Sequence, residues 1–238
     1  MPNKTSIKSK RHQPPGFEIL YEDRDVIVGS KEFNVLTVKA KWNREQTVHA
    51  ALNRYVRKGN SRSHKCVFVV HRLDQHTSGV LIFAKSPQAQ EFLKGDWKNT
   101  EKTYYAVVHG RLAEKKGTFS SYLAEDEDYV VASVQDPKKG KLARTAYEVA
   151  REANNLSMVK IRLLTGRKNQ IRVHFAEAGH PVVGDAKYGR KSSHKRLALH
   201  AQSISFTHPF SKERITVESP LPQYMENLLA KETRTPRR

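Results

Sequence analysis

The sequence predicts an α+β fold in which a largely antiparallel mixed central sheet is flanked by helices. Two observations carry this. Strand-like segments outnumber helical ones, and they come in runs rather than in strict alternation with helices. The longest apolar runs, VFVV at 67–70 and VLIFA at 80–84, suit buried strands and fall short of the ~18 residues that a membrane-spanning helix needs.

Taken in order, FEILYE (17–22) and VIVGS (26–30) read as strands around a turn at Glu22-Asp23-Arg24-Asp25. Thr47 is expected to cap a helix whose Val48, Ala51, Leu52, Tyr55 and Val56 share one face, with Gly59 ending it. VFVV and GVLIFA (79–84) are apolar strands joined by a polar loop, HRLDQHTS. Ser86-Pro87 reads as an N-cap followed by proline at the first helical position. KTYYAVVHG (102–110), TFSSYL (118–123), YVVASV (129–134), ARTAYEVA (143–150) and LSMVKIRLL (156–164) follow as strands. Asn169 is expected to cap the short helix QIRVHFAEA, closed by Gly179 and Pro181. RLALHAQSISF (196–206) and RITVES (214–219) are strands, and a helix over about 221–230 completes the series.

The chain has 238 residues and a formal charge of +19, of which residues 1–16 carry +4 and residues 231–238 carry +3. The stretch 17–230 therefore keeps +12, and basic disordered tails do not explain the balance. A body with that excess attracts polyanions through counterion release, and nucleic acid is the commonest such partner. One continuous body over 17–230, between basic tails at 1–16 and 231–238, is the simplest parse. The single cysteine, Cys66, excludes an internal disulfide framework and fits a reducing compartment. No apolar signal region precedes residue 17, so a cytoplasmic location is expected, with no membrane partner and a monomer as the default state.

Three places could carry chemistry. Asp74 is the only acid between Glu45 and Glu91, and it stands among His71, Arg72 and His76 in a loop held by two apolar strands. Such a carboxylate is expected to be ionised at neutral pH, although an Asp bonding its own turn backbone is the commoner case. Arg172 falls in the first turn of the helix after Asn169, where a cation opposes the helix dipole by about 0.3–1 kcal/mol. A carboxylate from elsewhere would compensate it, and Asp74 is the candidate; a solvent-facing or phosphate-facing Arg172 fits the spacing equally well. Tyr104 and Tyr105 are adjacent in a strand, so one faces inward and one outward, either to pack or to stack on a base. The histidine pairs 174/180 and 194/200 have spacing six, not the i, i+4 spacing of a helical zinc pair, so no metal site is expected.

HRLDQHTSGVLIFAKS (71–86) resembles the signature loop of the RluA-type pseudouridine synthases, HRLD-x-x-TSG with an Ala-Lys dipeptide after the strand. EKTYYAVVHG (101–110) is similar to that family's K-x-Y-x-A-x-V-x-G motif, and TGRKNQIRVHFAEAGHPVVGDAKYG (165–189) and RLALHAQSISFTHP (196–209) resemble its last two. The resemblance implies a pseudouridine synthase fold with a basic active-site cleft and a cofactor-free isomerase acting on uridines of ribosomal or transfer RNA. It implies Asp74 as the catalytic carboxylate, Tyr104 as the tyrosine that stacks on the target base, and Arg172 as the residue pairing with Asp74. Arg72 matches the arginine that fills the space left by the extruded uridine, and His71, Lys102, Arg167 and Lys168 are expected as further RNA contacts.

Two departures from the family pattern stand out. Ser30-Lys31-Glu32-Phe33-Asn34 lacks the proline and glycine of the family's NKP-x-G, which puts the course of that early loop in question, and Lys168-Asn169 replaces its usual Thr-His. Two rivals of other classes are a noncatalytic RNA-binding or ribosome-assembly protein, which has no need of an Asp–Arg pair, and a nucleic-acid glycosylase, which would liberate free base.

Overall fold

The computed structural model describes residues 13–39, 46–60, 62–189 and 194–230. In chain order the elements are β1 (Phe17–Glu22), β2 (Val26–Lys31), α1 (Val48–Arg57), β3 (Phe68–Val69), β4 (Ser78–Ala84), α2 (Pro87–Gly95), β5 (Glu101–His109), β6 (Lys116–Glu125), β7 (Val131–Val134), β8 (Lys141–Ala153), β9 (Leu156–Leu163), α3 (Gln170–Glu177), β10 (Leu199–Thr207), β11 (Arg214–Glu218) and α4 (Gln223–Leu229). The chain divides into two compact units, one of residues 1–102 with 201–220 and one of residues 103–200 with 221–238. Of the expected tails, 1–12 and 231–238 lie outside the described residues.

In the first unit β2 pairs antiparallel with both β1 and β4, β3 pairs with β4, β10 lies beside β4, and β11 pairs antiparallel with β10. All seven residues of β4 are buried, which is why its sequence is an unbroken apolar run rather than an alternating one. Val26, Val28, Val80, Ile82, Leu93, Ile204 and Phe206 form one core cluster there. The helix signals act as their chemistry dictates. Thr47 Oγ1 accepts the Ala50 N–H and Ser86 Oγ accepts the Ala89 N–H, each at 3.1 Å. At the other end of α1 the left-handed cap is Lys58 (φ 51°), one residue before the Gly59 that the sequence points to. The β1–β2 turn is built on Asp23, whose Oδ1 accepts the Asp25 and Val26 N–H groups and whose Oδ2 accepts from Tyr21 Oη and His208 Nε2.

In the second unit the strand order is β5-β9-β8-β6-β7, antiparallel throughout. Helix α3 packs against β7 and β8, and its residues Gln170 to Phe175 are all buried. Phe119 stacks on Tyr147 with ring centroids 4.9 Å apart and meets Phe175 edge-on at 5.1 Å. The expected strand at 129–134 is shorter than its apolar pattern suggests. Tyr129 takes a left-handed backbone (φ 60°) in a turn closed by Asp126, whose Oδ1 accepts the Val130 N–H. Among the described residues no helix is long and apolar enough to cross a membrane.

Candidate active site

The expected site residues fall in both units: His71, Arg72, Asp74 and Lys102 in the first, Tyr104, Arg167, Lys168 and Arg172 in the second. Asp74 is half-buried in the loop that leads into β4. Its two neighbours in sequence are clamped through their backbones. Thr37 Oγ1 donates to the Leu73 carbonyl at 2.9 Å and accepts the Leu73 N–H at 3.2 Å. Lys31, at the end of β2, is fully buried, and its Nζ donates to the carbonyls of Glu32 (2.9 Å), Val35 (2.8 Å) and Gln75 (3.0 Å). An ammonium has three hydrogens, and here they meet three carbonyl oxygens. Burial pushes the Lys31 amine down to about 7, against the opposing pull of the Asp74 and Glu32 charges.

The segment that departs from the NKP-x-G pattern therefore has a defined course: it wraps the Asp74 loop. Gln75 Nε2 donates to Asn34 Oδ1 at 3.1 Å, and Phe33 lies against His76 with centroids 5.5 Å apart. The loop then ends on Gly79, at φ +111°, where a Cβ would come within 2.1 Å of the Ala201 carbonyl oxygen. Only glycine fits that position.

His71 and Lys102 form one structural column with Trp97. The His71 ring lies 4.8 Å from Trp97, and Lys102 Nζ lies 4.7 Å from the centroid of the same indole. His71 Nε2 accepts the Ile82 N–H at 3.3 Å, which places its own proton on Nδ1. Burial, reinforced by the Lys102 charge, pushes the imidazole down to about 3, so it is neutral at physiological pH. A neutral ring that accepts a backbone N–H supports the loop; it supplies no charge to RNA. Arg72, in contrast, is exposed.

In the second unit Tyr104 is buried (8% exposed) and Tyr105 half-buried, the inside–outside split expected of adjacent strand residues. Arg172 is buried on α3. The carboxylate that compensates it within its own unit is Asp185, thirteen residues on, and the sequence reading missed it. Arg172 Nε donates to Asp185 Oδ2 at 2.7 Å and Nη2 to Oδ1 at 2.8 Å, a two-pronged pair. Burial alone would raise the Asp185 carboxyl. The Arg172 hydrogen bonds and charge, with the Tyr188 and Lys187 N–H groups, outweigh it and hold the group below the ordinary carboxylate value. The Tyr188 ring lies 5.0 Å from the guanidinium carbon, and its hydroxyl donates to Asn169 Oδ1 and accepts the Val131 N–H.

Asn169 stands at the N-cap position of α3 but makes no side-chain cap bond, because its backbone is left-handed (φ 51°). Gln170 instead ties the preceding loop down. Its Oε1 accepts from Thr165 Oγ1 and the Arg167 N–H, and its Nε2 donates to Arg144 O and Thr145 Oγ1. Arg167 and Lys168 are exposed on that loop; Arg167 Nε donates to the Leu142 carbonyl and Lys168 is ion-paired with Glu125. The metal-like group among the described residues, Asp23, Asp25 and His208, is used internally. His208 Nε2 donates to Asp23, and its Nδ1 accepts the Phe210 and Ser211 N–H groups.

A profile for the RNA pseudouridylate synthase family matches residues 25–177, more than half of the chain. The chain belongs to the RNA pseudouridylate synthase family. Among its relatives are the uncharacterised RNA pseudouridine synthase YjbO of Bacillus subtilis, 34% identical over 91% of this chain and 77% of the relative, and the dual-specificity RNA pseudouridine synthase RluA of Pasteurella multocida, 34% identical over 87% and 94%. The tRNA pseudouridine synthase C of Haemophilus ducreyi is 30% identical over 89% of this chain and 93% of its own length. The fold is also that of two human structures. RNA pseudouridylate synthase domain containing 1 superposes with a TM-score of 0.71 at 27% identity, covering 86% of this chain and 83% of its own. RNA pseudouridylate synthase domain containing 4 gives 0.74 at 19% identity over 87% and 90%, a likeness of fold. The synthase is thus an isomerase, and the rival readings as a noncatalytic binder or a glycosylase give way to it.

Proposed function

We propose that this synthase isomerises uridines in structured ribosomal or transfer RNA, with Asp74 as the catalytic carboxylate. One observation carries the assignment of Asp74: it is a half-buried acid on a loop whose backbone is clamped on both sides, by Thr37 at Leu73 and by Lys31 at Gln75. A rigid backbone beneath a carboxylate is what a reaction needs when the group must meet one atom of an incoming nucleoside. The substrate class is supported by relatives, one named as dual-specificity and one as a tRNA enzyme, and by the +12 charge of residues 17–230.

The chemistry breaks the bond from base nitrogen 1 to the sugar, turns the base over and joins carbon 5 to the same sugar carbon; carbon 5 loses a proton and nitrogen 1 gains one. Atoms and electrons balance, so the reaction needs no oxidant or reductant. Asp74 acts as nucleophile or as acceptor of a sugar proton, and both routes require it within reach of the extruded uridine. Tyr104 stacks on the base and assists loss of the carbon 5 proton. Arg172, anchored by Asp185, pairs with Asp74. Exposed Arg72 fills the gap left by the uridine, and Lys102, Arg167 and Lys168 contact RNA, while His71 holds the loop instead. The enzyme works as a monomer in the cytoplasm.

Tritium release from transfer and ribosomal RNA labelled at carbon 5 of uridine tests the reading. Release without free base and without change of RNA mass is the expected result. Liberated base would show a glycosylase, and no release from either RNA would overturn the substrate class. Chemical mapping of pseudouridine in cells with and without the gene then names the position.

A further inference from the structure

We propose that the surface formed by residues 54–60 and 62–65 and the cavity behind them is a second RNA-contact surface, which grips the phosphodiester backbone away from the nucleotide being isomerised. The proposal rests on the reading that this chain acts on RNA. Among the described residues the cavity, of about 1090 Å³, is lined by residues of the first unit and by none of the Asp74 loop. Among the same residues, Arg24, Arg54, Lys58, Lys65 and Lys85 face it with one carboxylate, Glu22.

Glu22 is already committed. It accepts from Tyr55 Oη at 2.7 Å and from Lys85 Nζ at 3.2 Å, and Lys85 also donates to the Asp23 carbonyl at 2.6 Å. Glu22 and Lys85 therefore cancel. Arg54, Lys58 and Lys65 are exposed, and among the described residues none of the three is in an ion pair.

The sequence sharpens the picture. RYVRKGNSRSHK (54–65) holds Arg54, Arg57, Lys58, Arg62 and Lys65 and no acid. Arg54 and Arg57 in the last turn of α1 complement its dipole, which is the ordinary use of basic residues there. Lys58, Arg62 and Lys65 lie beyond the helix, where that explanation does not reach. Exposed like charges repel one another, so a cluster without counter-charges weakens the isolated protein slightly and gains only when a polyanion arrives. A concave surface carrying such a cluster concentrates positive potential, and a chain of phosphates has the repeated single charges that match it.

The test uses the full chain and a hairpin RNA in which every uridine is replaced by cytidine, so that catalysis plays no part. Binding is followed by fluorescence anisotropy across a salt series. The combined variant Arg54→Gln, Lys58→Gln, Lys65→Gln is compared with a control of equal charge change in the second unit, Lys138→Gln, Lys139→Gln, Lys141→Gln. The slope of log affinity against log salt should become shallower by about two to three in the first variant, since each lost phosphate contact removes about 0.7–0.9. Its affinity at physiological salt should fall roughly 10- to 100-fold, and the control should change less than threefold. If the triple variant misfolds, Lys65→Gln alone should still lower the slope by about 0.7–0.9. An unchanged slope, or an equal loss in the control, overturns the proposal. Tritium release by the wild-type enzyme, run in parallel, separates the two readings: release with an unchanged slope sinks only the second surface, whereas the expected slope change without release sinks only the isomerase substrate assignment.

Discussion

The loop that carries Asp74 and the helix that carries Arg172 are held by opposite strategies. Around Asp74 the anchors grip backbone: the Thr37 hydroxyl bonds both polar groups of Leu73, and the buried Lys31 ammonium reaches the Gln75 carbonyl. Around Arg172 the anchor grips the charged group itself, through two hydrogen bonds that the guanidinium donates to Asp185 and through the Tyr188 ring. The first strategy sets where a side chain starts; the second fixes its charged head. On the proposed mechanism the Asp74 carboxylate must meet the nucleoside, and a clamped backbone sets where its side chain starts, whereas Arg172 is held at its charged head by Asp185.

Breaking the charged anchor should cost most. Asp185→Asn leaves a buried guanidinium without its two-pronged carboxylate, and stability should fall by about 3–5 kcal/mol, read as a lowered midpoint in urea. The activity lost should exceed what unfolding explains at temperatures where the variant is still folded. Unchanged stability would mean that the pair carries no structural load.

Removing the buried amine comes next. Lys31→Met leaves the Glu32, Val35 and Gln75 carbonyls without a donor, each worth about 1–3 kcal/mol, partly offset by no longer burying an ammonium. A net loss of about 1–3 kcal/mol is expected, with a larger fall in kcat than in RNA affinity. Should affinity fall and kcat hold, Lys31 would be acting on RNA rather than on the loop. Thr37→Val is the milder version: it removes two bonds to Leu73 and should cost about 1–2 kcal/mol, with kcat reduced in the same sense.

The last comparison is the pH response of His71. In the unfolded chain its imidazole takes a proton near 6.5, but in the folded protein burial, helped by Lys102, pushes that value down to about 3. The unfolded state therefore binds more protons between those values, and this contribution to stability is complete above 6.5 and is lost as pH falls toward 3. Wild type should lose more stability than His71→Gln between about pH 7 and pH 4.5; parallel losses would show that the ring is free to protonate.

Much of this architecture was legible because it obeys local rules. Thr47 and Ser86 cap their helices through their own hydroxyls, and the apolar strand after the Asp74 loop is buried along its whole length. What went unseen has a common cause in non-periodic contacts. Asp185 lies thirteen residues from Arg172, across a helix end and a turn, so no spacing rule pairs them; the charge conflict at the helix start asked for a carboxylate, and Asp74 was the one the sequence offered. Gly184, whose φ of +74° and close approach to the Arg196 carbonyl admit no side chain, was the one local hint that Asp185 follows a built turn. Lys31 was hidden for the opposite reason: composition places lysine outside, and only the three carbonyls assembled by the fold make its burial tolerable. Asn169 misled because the residue type suits an N-cap while its left-handed backbone aims the side chain at Tyr188.

Asp74→Asn tests the catalytic role most directly, since the substitution keeps size and shape while removing the negative charge and turning one acceptor oxygen into an NH2 donor. RNA binding, followed by anisotropy on an unlabelled-substrate competitor, should stay within about threefold of wild type, because phosphate contacts dominate affinity, while tritium release from uridine-labelled RNA falls to background. Multiple turnovers by a well-folded Asp74→Asn enzyme would contradict the account and send the search for the reacting carboxylate elsewhere in the molecule.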